Sequence, residues 1–150
     1  MTLQEASNFF ESLKTEIIKK SEIKVYEKFV YTLSELKSRK FTKDEIQSIE
    51  TELDSLNLAS NPENSKKHFK KALTKFEKYL KDTFFLTPKG YYTELGITLG
   101  SSFGVVAGVI IGERFERSLG IALGISIGML IGLLIGRYMD SMAVAEGKVI

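Results

Sequence analysis

The chain has 150 residues, a formal net charge of +2 and no cysteine. Its length fits one domain, and without thiols neither a disulfide framework nor a thiolate metal site can form. Charge is unevenly placed: residues 1–90 hold 17 Lys+Arg and 14 Asp+Glu, whereas residues 95–112 and 119–136 hold none. The chain therefore reads as all-α, a polar N-terminal helical bundle over residues 1–86 followed by a transmembrane helical hairpin.

The opening "MTLQEASNFFESLK" has no basic stretch leading into an apolar one, so no cleaved signal peptide is expected, and no lipidation signal is evident. Thr2-x-x-Glu5 has the form of a capping box, followed by Leu3, Ala6, Phe10, Leu13 and Ile17 at three- and four-residue steps. Ser21 is expected to cap a second helix with Val25, Tyr26, Phe29, Leu33 and Leu36 inward. Thr42-x-x-Glu45 is a further capping box, leading Ile46, Ile49, Leu53 and Leu56. Asn61-Pro62 supplies a cap and a proline at the first helical position of a fourth helix, with Phe69, Leu73, Phe76, Leu80 and Phe84 as its core face. The bundle then has four helices, or three if the first two segments run together.

The third helix is acidic (Asp44, Glu45, Glu50, Glu52, Asp54), and the fourth sets Lys66, Lys67, Lys70, Lys71, Lys75, Lys78 and Lys81 against Glu77. One reading makes these helices neighbours with a solvated remainder. A second puts the lysines against anionic lipid headgroups, at about 1 kcal/mol per charge near the surface. A third is a tether for ribosome or nucleic acid, which lacks the interleaved aromatics and arginines that would favour it. His68 reads as a solvated residue at a helix start. No carboxylate spacing suggests a metal site, and no cofactor is expected.

"TPKG" (87–90) breaks the chain, and residues 87–94 read as linker and membrane entry. Residues 95–112 and 119–136, 18 each, would be about 27 Å long as helices, close to the hydrocarbon thickness. The second holds ten Leu and Ile, which favour insertion by about 3 to 6 kcal/mol together. The first is weaker, with Thr98, Ser101 and Ser102 among its residues. Residues 113–118 are too short to be a domain, so the spans must be antiparallel; residues 137–150 read as a tail. Tyr91, Tyr92, Phe115 and Tyr138 flank the spans, where aromatics suit the interface. Lys75, Lys78, Lys81 and Lys89 precede the spans and Arg137 and Lys148 follow, whereas Arg114 and Arg117 of the loop each adjoin a glutamate. This bias predicts that both termini lie on the cytoplasmic side. Arg137 and Asp140, three apart, are expected to pair.

Glycine recurs at every fourth position: Gly96, Gly100, Gly104, Gly108 and Gly112 in the first span, Gly120, Gly124, Gly128, Gly132 and Gly136 in the second. Between helices in lipid, apolar burial gains little and close backbone approach gains more, so these rows read as packing surfaces. Each four-residue step turns the helix about 400°, so the row drifts about 40° per glycine and follows the inclined ridge. One partner helix is then expected to cover only part of the row, leaving a groove for a neighbouring copy. "LGITLG" (95–100) matches "LGIALG" (119–124) at an offset of 24, as in a duplicated unit.

Through "LGIALGISIGMLIGLLIGRYMD…EG", residues 91–147 resemble the glycine-zipper hairpins of small bacterial membrane proteins. The resemblance implies an architecture and leaves function open, since such zippers serve anchors, channels and pore-formers alike. The sequence shows no nucleophile elbow, phosphate loop, HExxH or dinucleotide fingerprint, so an enzyme is not expected. The leading expectation is a homo-oligomer in membrane lipid that presents the bundle as a scaffold or anchor to a cytoplasmic partner. Alternatives are a channel lined by Glu94, Thr98, Ser101 and Ser102, with Glu94 forming an acidic ring, and the tether through the fourth helix.

Overall fold

A computed structural model describes residues 1–16, 20–59, 65–113 and 116–150. Among these residues the chain is all-helical, with α1 (Leu3–Glu16), α2 (Lys20–Ser38), α3 (Lys43–Ser55), α4 (Ser65–Phe84), α5 (Tyr91–Gly112) and α6 (Arg117–Ala145). The extended backbone contributes an isolated bridge between Thr87 and Val149. Two compact units result: Met1–Leu86 with Ile150, and Thr87–Val149.

In the first unit, capping chemistry sets two helix starts. The Thr2 amide donates to Glu5 Oε2 at 2.8 Å and the Glu5 amide to Thr2 Oγ1 at 3.1 Å. The pair Thr42 and Glu45 repeats this, at 2.7 and 3.3 Å, so orphan first-turn amides of α1 and α3 are satisfied reciprocally. Ser21, expected to cap α2, lies within the described span of that helix. Residues 17–19, between α1 and α2, and the Asn61-Pro62 start both lie outside the described residues.

One apolar core joins α1 to α4. Ala6 and Phe10, Tyr26, Phe29 and Leu33, Ile49 and Leu53, and Phe76 and Leu80 are all buried. Rings dominate its centre: Phe10 stacks on Phe29 at 4.2 Å and meets Phe69 edge-on at 5.5 Å, the offset and T-shaped arrangements that ring quadrupoles favour. Leu58 and Leu86 also join this core from the ends of α3 and α4.

The helices of the second unit outrun their apolar stretches. α5 starts at Tyr91, directly after Gly90 at φ +82°, so residues 91–94 are helical rather than linker. α6 runs to Ala145, so residues 137–145 extend the helix instead of forming a tail. Hydropathy marks where a helix is apolar and not where its backbone hydrogen bonds end. The stop comes at Gly147 (φ +68°), where the Gly147 amide bonds to the Val144 carbonyl and the Lys148 amide to that of Ala143. That is the Schellman pattern, which requires a left-handed residue and so favours glycine. At 22 and 29 residues the helices are about 33 and 43 Å long. Both are long and apolar enough to cross a membrane, and only 17% and 22% of their most apolar windows are buried in the structure. A core helix of a soluble protein would be mostly buried.

Candidate functional site in the apolar helix pair

α5 and α6 lie side by side and antiparallel, and glycine lies against glycine along the contact. A Cβ added at Gly96, Gly100 or Gly104 would run into the carbonyl of Gly132, Gly128 or Gly124 respectively; at Gly108 it would lie 2.5 Å from that of Gly120. The converse holds on α6, where Gly124, Gly128 and Gly132 face the carbonyls of Gly104, Gly100 and Gly96, and Gly136 faces Tyr92. Gly112 is looser, its nearest neighbour being Arg117 Cα at 3.0 Å. No side chain larger than hydrogen fits most of these positions without moving backbone, which is why the sequence accepts glycine's helix penalty of about 1 kcal/mol there.

The glycine rows are not wholly covered by this contact. Gly104, Gly108, Gly112, Gly120, Gly132 and Gly136 are buried, whereas Gly96, Gly100, Gly124 and Gly128 are half-buried. Seven of the ten glycines floor a groove of about 580 Å³ walled by Phe103, Ala107, Ile111, Leu123, Ile127 and Ile131 among others. These wall positions immediately precede a glycine, which places them about 100° to one side of each row. The residues that follow the glycines lie on the other side, and Ile97, Val109, Ile121, Ile125 and Leu133 there are half-buried. The pair is thus closed on one face and grooved on the other. Large apolar side chains surround it, with Phe103 73% and Ile110 65% exposed.

At the end where α5 begins, Asp140 of α6 holds the first turn of α5. Its carboxylate accepts from the Tyr92 and Thr93 amides, both at 3.0 Å, and from the Thr93 hydroxyl at 2.6 Å. The N-terminal amides of a helix have no partner within it and carry partial positive charge, so an anion here supplies bonds and charge together. Asp140 therefore does not pair with Arg137, as spacing alone suggested. The missed signal was register: Asp140 lies four residues past Gly136 and occupies the next position of the glycine row.

The hydroxyls proposed to line a channel turn back on their own helix. Thr98 donates to the Glu94 carbonyl at 2.8 Å, Ser101 to Ile97 at 2.7 Å and Ser102 to Thr98 at 2.8 Å. Such bonds satisfy a hydroxyl proton without any partner helix. Glu94 is exposed one turn above.

On α4, Lys75 bonds across to α3, 3.1 Å from Glu52 and 2.9 Å from Ser55. Lys66, Lys67, Lys70, Lys71 and Lys78 are exposed and Lys81 is half-exposed. The acidic residues of α3 have several partners: Asp54 pairs with the Met1 ammonium, Glu50 accepts the Leu3 amide at 3.2 Å, and Glu45 closes its own cap. The anticipated α3–α4 charge match is thus carried by Glu52 and Lys75. Among the described residues no three His, Cys, Asp or Glu gather into a possible metal site.

No protein-family model, curated protein or solved structure matches the chain.

Proposed function

We propose that this chain is a non-enzymatic integral membrane protein whose glycine-zipper hairpin, α5 and α6, assembles into a homo-oligomer and presents the N-terminal helical bundle as a scaffold or anchor at the cytoplasmic face of the inner membrane. One observation carries the reading: a helix pair joined glycine to glycine keeps an open apolar groove floored by backbone. In lipid, small residues are the means by which backbones approach closely, and a groove left after one such approach accepts the ridge of a second copy. Exposed apolar side chains around the pair suit hydrocarbon and would aggregate in water. The zipper resemblance of residues 91–147 points the same way, and the Lys-rich α4, shortly before α5 in the chain, suits anionic headgroups.

The test must fill the groove and leave the hairpin intact. Ala107 stands in the groove wall and is exposed, so Ala107→Phe occupies the space without entering the glycine contact. Light scattering of the detergent-solubilised protein should show an oligomer that this substitution reduces to a monomer. A monomeric parent, or an oligomer indifferent to Ala107→Phe, refutes the proposal. The channel reading has weaker support, because the donors of Thr98, Ser101 and Ser102 are already engaged. The nucleic-acid tether rests on the α4 lysines alone.

A further inference from the structure

Where α5 begins, a cavity of about 370 Å³ is lined by Lys89, Thr93, Arg137, Asp140 and Ser141, with Val144 and Val149 in its wall. Its one carboxylate, Asp140, already accepts three hydrogen bonds from the first turn of α5. That negative charge is therefore set against the positive helix terminus rather than against the two cations. Among the described residues neither Lys89 nor Arg137 forms an ion pair, and both are exposed. Two uncompensated cations and a Ser141 hydroxyl thus converge on one cavity, an arrangement suited to a tetrahedral oxyanion that a guanidinium can grip with two parallel bonds.

The rows that carry these residues continue down the helix pair. Thr93 stands four residues before Ile97 on α5, with Lys89 just ahead of that helix, and Arg137 and Ser141 stand four and eight residues after Leu133 on α6. Ile97, Ser101 (its hydroxyl turned back to the Ile97 carbonyl), Val105, Met129 and Leu133 follow on the same face, opposite the groove. A ligand whose anionic head fills the cavity would therefore lay any hydrocarbon tail along an apolar wall. We propose that this cavity binds the phosphate of an anionic phospholipid, with Lys89 and Arg137 as its cationic contacts and Ser141 as a hydrogen-bond donor. This rests on α5 and α6 lying in a membrane; it does not require the oligomer.

The test uses the full chain in detergent, titrated with phosphatidylglycerol or phosphatidylcholine and followed by native mass spectrometry. Phosphatidylglycerol should be retained at least tenfold better. Lys89→Gln and Arg137→Gln should each lower its retention about fivefold, while Lys89→Arg keeps it near the parent and Arg137→Lys, which keeps the charge but loses the paired bonds, falls between. Equal retention of both lipids overturns the proposal. So does a preference that survives Lys89→Gln with Arg137→Gln but falls with Lys67→Gln, Lys71→Gln and Lys78→Gln, which would move the site to α4. Full displacement of the lipid by millimolar inorganic phosphate would assign the cavity to a free anion and also overturn it. A chain that stays dispersed without detergent and takes up neither lipid overturns the membrane reading itself.

Discussion

The Asp140 carboxylate receives both the amide and the hydroxyl of Thr93, at 3.0 and 2.6 Å, 47 residues away in the chain. A row of five glycines on α6 ends in this aspartate, so one ridge changes from close contact to capping at its last position. The cap fixes which turn of α5 lies opposite which turn of α6, because a slip by one glycine would take the carboxylate from its amides. Glycine rows alone would allow such slips, since every fourth register looks alike. Asp140→Ala should lower the unfolding free energy of the helix pair by about 2–3 kcal/mol, as for loss of charge-assisted bonds to a helix terminus. Chemical unfolding in micelles, followed by circular dichroism, measures this. Unchanged stability would show that the glycine contact sets the register unaided.

The glycines should differ in their tolerance of one methyl group. Alanine at Gly100, Gly128 or Gly132 places Cβ against backbone carbonyl, which cannot rotate away. The helices must then separate, and overpacking of this kind costs about 1–3 kcal/mol. At Gly112 the nearest atom is 3.0 Å away and belongs to the first residue of α6, at the end of the pair. There a small shift suffices, and the better helix propensity of alanine offsets it by up to about 1 kcal/mol. Melting temperatures in one detergent should therefore fall clearly for Gly128→Ala and stay near the parent for Gly112→Ala. Equal losses at both would contradict the contact geometry.

A third prediction concerns backbone strain just after α4. Phe85 has φ +56° and is 69% exposed, a left-handed conformation that costs a residue with a Cβ about 1–2 kcal/mol. Glycine adopts it freely, at some loss of entropy from the unfolded chain. Phe85→Gly should stabilise the first unit by about 0.5–1 kcal/mol in denaturant titration. Asn57 also has positive φ, at +48°, but asparagine tolerates that region well, so Asn57→Gly should gain less. A larger gain at Asn57 than at Phe85 would refute this account.

Much of this architecture could be read in the sequence because periodicity and burial express the same geometry. Spacing alone points Ala6, Phe10, Phe29, Leu33, Ile49, Leu53, Phe76 and Leu80 inward, and all are buried. Thr2 and Thr42 are recognisable because their capping boxes are local. What stayed hidden depends on how distant segments meet. The role of Asp140 needs the antiparallel register, and spacing along α6 offered only Arg137 as its partner. Leu58 and Leu86 lie outside the periodic stretches and become core through the chain's path after α3 and α4. The drift of the glycine row implies a groove, but which side it opens on follows from the residues before and after each glycine.

The capping box of α3 should give a measurable response to acid. Hydrogen bonds from the Thr42 backbone and side chain hold the Glu45 carboxyl below the usual glutamate value of 4.5. A carboxylate whose folded value is depressed stabilises the fold above its unfolded value, and that stabilisation is lost as pH falls through the lower, folded value. The cap is thus intact at neutral pH and through pH 5, and it opens in the acid range below 4.5. Glu45 is exposed to solvent, so salt and water screen it, and the effect is confined to the first turn of α3. The Thr42 amide resonance in an NMR titration reports this opening directly. It should titrate with a midpoint below 4.5 and lose its pH dependence in Glu45→Gln, whose amide oxygen can accept the same bond without ionising. A midpoint at or above the ordinary glutamate value would mean that Thr42 and Glu45 do not hold each other in solution. The first-turn amides of α3 would then depend on water alone, and the start of that helix would fray at every pH.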